Sequence, residues 1–486
     1  MADDGSLGET RLTSKYEGQG DATGDNPSQV AAPRSPRRLL HLIQRYYPFV
    51  GGSELYFAAL AERFAARGDD VTVYTTDAWD LEHFWAAGKR TIAWGEAARR
   101  HNNVTVRRFA VRRPPLWWLG YPVTRRLMTH LSPLPLPGNE AILRAAGHFS
   151  PWVPGLGRAL RDDSARFDLV HSANIALESL ILDAEAYARR RDVPLVITPF
   201  VHLGENNDRR VLKYYSMRHQ LGALRRAAAV VAQTPREYRF LRSCGVDEAR
   251  LHLVGAGVDP ATVTGGDGAA FRARHGIDGP IVACIGAMAH DKGTPHVVAA
   301  LQRLWQGGSD ATLVLAGPAL EHFTRFHAAL PEADRARCRL LGFISAEEKR
   351  DLLAAADVFA LPSRTDSFGI VYLEAWCCGV PVIGARAGGV PDVIADGEDG
   401  LLVPFADVPA LATALRTLLT DRTLAQAFGA RGWAKVLAGM TWDHVFAAFA
   451  RLYDRVLGGD TASGAGAVVQ SAPTGIATMG TGERAR

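Results

Sequence analysis

Short apolar runs alternate with amphipathic segments along most of the chain, and this alternation limits the fold more than any other feature. Runs such as Phe167–Asn174 and Pro194–His202 have the length of buried strands, and the segments between such runs have helical periodicity. Strands joined by helices form parallel sheets with helices on both faces. Because 486 residues exceed what one core usually organises, the sequence predicts an α/β protein with two doubly wound domains.

Changes in composition predict the domain boundaries. The residues from Gly255 to Gly268 are rich in Gly, Asp and Pro, as is typical of an interdomain linker. Both ends of the chain are rich in small and polar residues and lack periodicity, which indicates disorder. The predicted segments are a disordered arm at 1–37, a first domain at 38–258, a linker at 259–279, a second domain at 280–440, a helix at 441–457 and a disordered tail at 458–486.

Charge and cysteine content exclude several classes of protein. The chain has 55 basic and 51 acidic residues, and its net charge of +4 is too small for nucleic acid to be a main partner. Its five cysteines lack the spacing of a metal site or a disulfide framework, which predicts a reduced, cytoplasmic protein. The first residues do not resemble a signal peptide, and no apolar run is long enough to span a bilayer.

The stretch Leu361–Ile394 contains the strongest candidate site. Its pattern is that of a strand end, a loop, a short helix, a second strand and a glycine loop. Asp366 lies in the first loop, and Glu374 follows it on the helix. Helical periodicity from Ile370 to Cys378 predicts that backbone amides of the loop point outward from a helix N-terminus. This arrangement favours the binding of an anion.

Two other turns have residues that suit a phosphate. Gly51 and Gly52 lie where the first strand turns into the first helix, and Lys292 and Gly293 lie at a similar turn of the second domain. Unhindered amides and an ammonium group there could contact a phosphate. The alternatives, a tight turn that needs glycine and a solvated lysine, stay open on spacing alone.

Several apolar runs of the first domain end in polar residues, among them His171, Asn174, Thr198 and His202. In an open α/β sheet the carboxyl ends of the strands line the ligand crevice. A single histidine is more often structural than catalytic, so position alone gives His202 no catalytic role.

Arginines and aromatic residues are interleaved between residues 107 and 157. Basic residues beside amphipathic aromatics suit a membrane surface or a lipid-linked substrate. The alternative is an insertion whose aromatics pack on the domain and whose arginines are solvated, and several prolines predict irregular structure. The residues are Arg107, Arg108, Arg112, Arg113, Arg125, Arg126, Trp117, Trp118, Tyr121 and Trp152.

Together these motifs resemble those of glycosyltransferase family 4, which has the two-domain GT-B architecture. The matching pieces occur in the family's order from Leu39 to Leu457. They are the glycine pair at 51–52, GVDP at 257–260, KG at 292–293, LPS at 361–363, FGIVYLEAWCCGVPVIG at 368–384 and AGGVPDVI at 387–394. The resemblance implies two Rossmann-like domains that face each other across a cleft. The first would bind the acceptor, the second the nucleotide sugar, and the helix at 441–457 would cross back between them.

The resemblance also implies a reaction. Members of this family transfer a sugar from a nucleotide diphosphate sugar with retention of anomeric configuration, without a required metal or cofactor. A UDP- or GDP-sugar is the expected donor, and the expected acceptor is a glycan, a lipid-linked molecule or a small molecule in polysaccharide biosynthesis. A peripheral contact of residues 107–157 with the inner face of the membrane stays open.

By the same resemblance, four residues are candidates for catalysis. Glu374 would hold the ribose hydroxyls of the donor, and Asp366 would face hydroxyls of its sugar. Lys292 would neutralise the departing diphosphate, and His202 would position the sugar or the acceptor. The implied donor-binding set is Gly51, Gly52, Gly286, Lys292, Gly293, Asp366, Ser367, Phe368, Gly369, Ile370 and Glu374.

Three positions depart from the family's usual pattern. Asp366 and Asp392 stand where glutamate is usual, and the second of these changes is expected to matter little. Ala287 stands where an arginine near the diphosphate is usual, and His290 or Arg364 could replace it. These departures leave two rivals open, namely a catalytically inactive donor-binding partner of another glycosyltransferase, and a sugar-nucleotide epimerase or phosphorylase of the same architecture.

Overall fold

Two parallel sheets organise the computed structural model, which describes residues 35–49, 51–93, 97–114, 116–162, 166–205 and 209–458. The disordered arm expected at 1–37 lies outside the described residues except for 35–37. The expected tail at 458–486 lies outside them except for residue 458, and the side chain of Trp118 is also not described.

The first sheet is centred on the strand that begins at Arg38. Within the described residues its strand order is β3-β4-β2-β1-β5-β6-β7-β8, and all neighbours are parallel except β3 and β4. The strands are β1 (Arg38–Leu42), β2 (Asp70–Thr76), β3 (Arg99–His101), β4 (Val104–Phe109), β5 (Leu169–Ala173), β6 (Leu195–Thr198), β7 (Ala229–Ala232) and β8 (Leu251–Leu253). The helices of this part are α1 (Gly52–Ala66), α2 (Trp117–Leu131), α3 (Asn139–Gly147), α4 (Pro154–Asp162), α5 (Glu178–Arg191), α6 (Arg209–Leu212), α7 (Arg218–Arg226) and α8 (Pro235–Ser243).

The second sheet is parallel throughout and has the order β11-β10-β9-β12-β13-β14. Its strands are β9 (Ile281–Ile285), β10 (Thr312–Ala316), β11 (Cys338–Gly342), β12 (Val358–Leu361), β13 (Val382–Ala385) and β14 (Gly400–Val403). The helices are α9 (Pro260–Val263), α10 (Gly268–His275), α11 (Thr294–Gln306), α12 (Glu321–Ala328), α13 (Glu332–Arg335), α14 (Ala346–Ala355), α15 (Ile370–Cys377), α16 (Val390–Val393), α17 (Val408–Thr420), α18 (Arg422–Gly439) and α19 (Trp442–Gly458).

The predicted fold class, two doubly wound α/β units, is confirmed. Central strands such as β5, β9 and β12 are almost fully buried, because helices cover both faces of each sheet. This burial is why the strands appear in the sequence as continuous apolar runs. The domain boundaries themselves stay a prediction. Within the expected linker at 259–279, α9 and α10 pack on the second unit, where the Asp267 N–H donates to Asp351 Oδ1 at 2.8 Å.

The segment at 107–157 is not irregular, and that expectation was wrong. It includes the end of β4, all of α2 and α3, and the start of α4. Most of its prolines fall in the connections between these helices, as at 133, 135 and 137, and Pro154 begins α4, where its missing N–H has no helical partner to lose. Pro122 is the one proline inside described helix α2. Prolines therefore separate the helices here and do not abolish them.

The last helix, α19, returns to the first sheet, as the predicted architecture requires. Its Tyr453 stacks on Phe64 of α1, with 4.5 Å between ring centroids. The Tyr453 hydroxyl lies 3.1 Å from His41 Nε2 and 2.7 Å from His171 Nδ1, while His171 Nε2 lies 2.8 Å from Thr198 Oγ1. Burial lowers the pKa of His41 to about 3 and that of His171 well below its usual value. Both imidazoles are therefore neutral core groups, and His171 has a structural role at a strand end.

Replacing Tyr453 with phenylalanine should destabilise the protein by about 1–3 kcal/mol. The change leaves a buried nitrogen of His171 without its partner, and an unsatisfied buried polar group costs about that much. Tyr47→Phe is the matched control, because Tyr47 is 44% exposed and surface changes usually stay within about 0.5 kcal/mol. The measurement is the urea midpoint of both variants, and equal midpoints would contradict the structural role of the hydroxyl.

Candidate functional site

The candidate site lies where loops at the carboxyl ends of β9 and β12 meet. These strands are neighbours in the second sheet, so the loops that follow them lie side by side. Asp291 joins the loops: its carbonyl oxygen accepts from the Arg364 N–H at 3.0 Å, and its Oδ2 accepts from Thr365 Oγ1 at 3.1 Å. Gly293 has φ +78°, and a side chain there would collide with the carbonyl oxygen of Pro362. Glycine is needed at this position for the two loops to approach.

A partly buried ion pair connects the two loops. Lys292 Nζ donates to Asp366 Oδ1 at 2.6 Å. Burial alone would lower the pKa of Lys292, but the Asp366 carboxylate outweighs it and raises this pKa above its usual value. Burial would likewise raise the pKa of Asp366, but the charge and hydrogen bond of Lys292 bring it below its usual value. Asp366 Oδ2 is buried and makes no geometric hydrogen bond among the described residues, and the Ser363 hydroxyl also lowers the pKa of this carboxyl. A ligand hydroxyl that reached this oxygen would satisfy it.

Helix α15 begins directly after this loop. Gly369 precedes it with φ +89°, and no side chain caps its first turn. The first N–H groups of an uncapped helix are available to a ligand and favour negative charge. Phe368 is buried, and a side chain on Gly255 would lie 3.3 Å from its ring. The predicted donor-binding residues from Ser367 to Ile370 thus lie between the ion pair and the helix start.

His202 follows β6 of the first sheet, and its ring lies 5.3 Å from that of Tyr215 between centroids. Burial lowers the pKa of His202 to about 4, and the charge of Lys292 acts in the same direction. The negative charges of Asp366 and Asp291 raise the pKa of His202. Charged residues of the second unit therefore influence this ring. His202 therefore lies within electrostatic range of Lys292 and Asp366, with a pKa that keeps the imidazole neutral at neutral pH.

Loops of the first sheet contact the same region through hydrogen bonds. Ser367 Oγ donates to Gln233 Oε1 at 3.0 Å, and the Gly388 N–H donates to the Gly204 carbonyl at 2.8 Å. The Gly389 N–H donates to the Asp366 carbonyl oxygen at 2.9 Å. The glycine loop after β13 thus holds both the backbone of Asp366 and the loop that carries His202.

Asp392 makes a contact that the sequence did not predict. Its Oδ2 accepts from the Arg236 N–H at 2.6 Å, and its Oδ1 accepts from Arg236 Nε at 3.3 Å. Arg236 lies in the first turn of α8, so a carboxylate of the second unit satisfies an N-terminal amide of a helix in the first. The expectation that Asp in place of Glu matters little stays a prediction, and the contact itself was not predicted because nothing in the sequence relates positions 236 and 392.

Glu237 binds the backbone of the same loops. This role was not predicted from the sequence. Its carboxylate accepts from the Val201 N–H and from the Gln233 N–H, each at 2.8 Å. Burial raises the pKa of Glu237 to about 7, against the effect of these two hydrogen bonds. One side chain therefore positions the backbone next to His202 and the residue that contacts Ser367. A single glutamate on a helix gives no sequence signal for this role.

Glu374 lies on α15 and has a different partner from Asp366. Its Oε1 accepts from Lys349 Nζ of α14 at 2.8 Å, and its side chain is largely buried. The sequence predicted Glu374 but not Lys349, which had no motif around it. The two predicted acids thus belong to two ion pairs, and each pair joins the stretch 361–394 to another part of the second unit.

The remaining predicted residues lie at strand-to-helix turns. Gly51 precedes α1, and its carbonyl accepts from the Leu55 N–H at 2.8 Å, while Glu54 beside it binds Arg45 at 2.8 Å. These contacts belong to the turn itself, so the phosphate role of Gly51 and Gly52 stays a prediction. Gly286 ends β9, and its N–H donates to the Ala316 carbonyl at 2.8 Å.

Three further observations bear on the predicted chemistry. The Arg364 guanidinium lies 5.2 Å from the ring centroid of Phe405, and the His290 N–H donates to His322 Nε2 at 2.9 Å. Neither contact involves Lys292, and the compensating role of His290 or Arg364 stays a prediction. Among the described residues, no group of three or more His, Cys, Asp or Glu is arranged to hold a metal ion.

Comparison with known proteins gives matches over most of the described chain. The family description "Glycosyl transferases group 1" matches residues 269–434, and "Glycosyl transferase 4-like domain" matches residues 51–257. A GDP-mannose-dependent alpha-(1-6)-phosphatidylinositol monomannoside mannosyltransferase of Mycolicibacterium smegmatis is 36% identical over 215 residues, which is 42% of this chain and 56% of that protein. A glycogen synthase of Mycobacterium tuberculosis is 30% identical over 303 residues, which is 60% of this chain and 70% of that enzyme.

Solved structures share the fold at lower identity. HepE of Anabaena, in complex with UDP and glucose, has a TM-score of 0.63 and 18% identity, covering 86% of this chain and 99% of its own. Sucrose-phosphate synthase of Thermosynechococcus elongatus has a TM-score of 0.65 and 20% identity, covering 87% and 100%. The chain spans little more than half the length of the mannosyltransferase that it matches.

Asp392→Ala should loosen the first turn of α8. Loss of a helix-capping carboxylate costs about 1 kcal/mol, so amide exchange around Arg236 should rise roughly fivefold. Asp407→Ala is the matched control, because Asp407 caps α17 within its own unit by accepting from the Ala410 N–H at 2.9 Å. Hydrogen exchange read by mass spectrometry on peptides 201–205 and 233–238 tests this. Unchanged exchange there in the Asp392 variant would remove the capping role.

The His202 ring should remain neutral until the pH falls to about 4. Burial and the Lys292 ammonium both oppose protonation of the ring, so the midpoint lies below the usual value of a histidine. The measurement is an NMR titration of histidine-labelled protein, with His202→Gln to assign the signal. A midpoint near 6.5 would mean that the ring is solvated and outside the field of Lys292.

Proposed function

Because this chain belongs to the family 4 glycosyltransferases, we propose that it transfers a sugar from a nucleotide diphosphate sugar to an acceptor hydroxyl. The observation that carries the proposal is the Lys292–Asp366 pair beside His202. An ammonium suits a diphosphate, and the unpartnered Asp366 Oδ2 suits a sugar hydroxyl. The diphosphate and the sugar of the donor thus each have a complementary group in the proposed site.

Glu374 and Asp366 would bind opposite ends of the donor. Lys349 occupies one oxygen of Glu374, which leaves Oε2 to accept from a ribose hydroxyl. Asp366 would accept from the transferred sugar, and the uncapped start of α15 would face the phosphates between them. A UDP- or GDP-sugar is the proposed donor. The complex of HepE with UDP and the GDP-mannose dependence of the mannosyltransferase support this class.

We propose retention of configuration by reaction on a single face of the sugar. The oxygen of the donor that bridges sugar and phosphate leaves with the diphosphate, and a phosphate oxygen accepts the proton of the incoming acceptor hydroxyl. Of the carboxylates near His202, Asp366 pairs with Lys292, Asp291 accepts from Thr365, and Glu237 accepts two backbone N–H groups. This supports a mechanism without a covalent glycosyl-enzyme. The neutral His202 ring would hydrogen-bond the transferred sugar or the acceptor.

Charge on the leaving diphosphate would be stabilised by the protein itself. Lys292 and the amides at the start of α15 supply fixed positive potential where negative charge develops. A metal is then not required to stabilise the leaving diphosphate, so we propose metal-independent transfer. Activity that survives exhaustive treatment with a chelator supports this, and activity that returns only with added divalent ions contradicts it.

The proposed acceptor is a glycan, a lipid-linked molecule or a small molecule. The relatives' names include a lipid, phosphatidylinositol monomannoside, and a polysaccharide, glycogen. A peripheral membrane contact through residues 107–157 would favour a lipid-linked acceptor among these classes.

The purified chain, given a pool of nucleotide sugars and a panel of acceptors, should release one nucleoside diphosphate and form one glycoside. Mass spectrometry identifies both products. Glu374→Ala should abolish release, because it removes the proposed ribose contact, whereas Glu347→Ala, at an exposed position of α14, should not. The outcomes separate the rivals. An epimerase changes the nucleotide sugar without release, a phosphorylase consumes phosphate and yields a sugar phosphate, and an inactive subunit binds the donor without turnover.

A further inference from the structure

Helix α2 presents a strip of apolar side chains to solvent. Leu116, which precedes the helix, is 69% exposed, and Leu119, Val123 and Leu127 are 51%, 66% and 64% exposed. Positions spaced by three and four residues lie on one face of a helix. The strip therefore forms a continuous apolar surface.

The opposite face of α2 accounts for its attachment to the protein. Met128 is buried with Leu143 and Met217, and Arg125 is buried in an ion pair with Glu178 of α5. Helix packing therefore already uses one face, and the outward apolar strip contributes nothing to the described fold. Exposed contiguous apolar surface of this kind usually marks an interaction site.

The apolar surface continues beyond α2. Leu134 and Leu136 in the following connection are 45% and 52% exposed, and Ile142 of α3 is 56% exposed. None of the helices in the described ranges is long and apolar enough to cross a membrane. The surface is defined as the α2 face, and its members are Leu116, Leu119, Val123, Leu127, Leu134, Leu136 and Ile142.

The sequence around α2 is basic as far as Glu140, an acid in the first turn of α3 that pairs with Arg226. Residues 97–139 contain arginines and histidines but no aspartate or glutamate. Of the four arginines at positions 112, 113, 125 and 126, Arg125 pairs with Glu178 and Arg113 donates to the His83 carbonyl. Arg112 and Arg126 are exposed and have no acidic partner among the described residues. Arg126 lies on α2 next to Leu127 of the apolar strip, and Arg112 precedes the helix in the chain. Unpaired cations beside exposed apolar residues are the composition of a helix that lies in the headgroup region of a bilayer.

We propose that the α2 face docks on the surface of an anionic lipid bilayer, with its leucines and valine in the headgroup and acyl boundary. A second copy of the chain fits less well, because a twofold interface would bring Arg112 and Arg126 against like charges of the partner. Anionic headgroups instead neutralise these arginines. Burial of the apolar side chains and neutralisation of the two arginines then both favour an anionic bilayer.

The α2 face is connected to the candidate site through packed groups. The buried Arg125 guanidinium lies 5.9 Å from the ring centroid of Tyr214, and the ring of the next residue, Tyr215, packs beside His202. Docking would thus hold the unit that carries His202 at the lipid surface. If the proposed glycosyl transfer is correct, on which this step rests, the acceptor is a lipid-linked molecule.

Sedimentation with vesicles tests the docking. The full chain should bind vesicles of phosphatidylcholine with 30% phosphatidylglycerol, and raised salt should weaken the binding. The triple variant L119S/V123S/L127S should bind at least tenfold more weakly. The double variant R112Q/R126Q should lose roughly fivefold per arginine, as about 1 kcal/mol per charge near an anionic surface implies.

Matched controls keep the test specific. Leu437→Ser changes a leucine of α18 that is 49% exposed, and R416Q/R422Q changes two exposed arginines of α17 and α18. Both controls should bind vesicles as the wild type does, and circular dichroism should show that all variants are folded. Release of nucleoside diphosphate with a water-soluble acceptor should be unchanged in the triple variant, so that failure of docking and failure of the proposed function are distinguishable.

Three results would overturn the proposal. One is absence of binding of the full chain to anionic vesicles. Another is equal vesicle binding by the triple variant and the Leu437→Ser control. The third is a dimer in sedimentation equilibrium that the triple variant abolishes, which would assign the α2 face to a second copy of this chain.

Discussion

The ion pair between Lys292 and Asp366 is the interaction on which the rest of the site depends. Two charges with little access to water are stable only when each is close to the other and fixed by further contacts. Those contacts are present: Asp291 ties the loop of Lys292 to that of Asp366, and Gly389 holds the Asp366 backbone. Since Lys292 uses one oxygen of Asp366, the pair holds a cation beside a carboxylate oxygen that has no geometric hydrogen bond among the described residues. Such preorganised charge is effective in catalysis because it needs no rearrangement during the reaction.

The same region joins the two sheets. Gln233 and Arg236 of the first unit bind Ser367 and Asp392 of the second, and both lie within one turn of Glu237. A change in the relative position of the two units would therefore alter the surroundings of Asp366 and the distance to His202 together. Closure of a cleft that assembles a site in this way can exclude water from an activated sugar. Helix α19 makes another contact with the first sheet, through the Tyr453 hydroxyl and His171.

The sequence predicted the fold well because buried parallel strands appear as continuous apolar runs, whatever their partners are. It also indicated Lys292, Asp366 and Glu374 as candidates, since they occur in local motifs whose order matches a family, and their roles at the donor stay predictions. It could not predict Lys349, Gln233, Glu237 or the contact of Asp392, because these are relations between residues distant along the chain. The segment 107–157 illustrates what composition predicts and what it cannot predict. Composition indicated an unusual surface, but only the fold separates the buried Arg125 from the exposed Arg126 and reveals the α2 face.

The central claim is that Glu374 binds the nucleoside end of the donor and Asp366 its sugar end. Titration calorimetry of the nucleoside diphosphate and of the intact nucleotide sugar, with wild type, Glu374→Gln and Asp366→Ala, tests this most directly. Glu374→Gln should weaken both ligands at least tenfold, as loss of a hydrogen bond to a charged group implies. Asp366→Ala should bind the nucleoside diphosphate at least as tightly as the wild type, since Lys292 is freed, and should lose the added affinity for the intact nucleotide sugar. Wild-type affinity of Glu374→Gln for both ligands, or an equal loss of both in Asp366→Ala, would contradict the account.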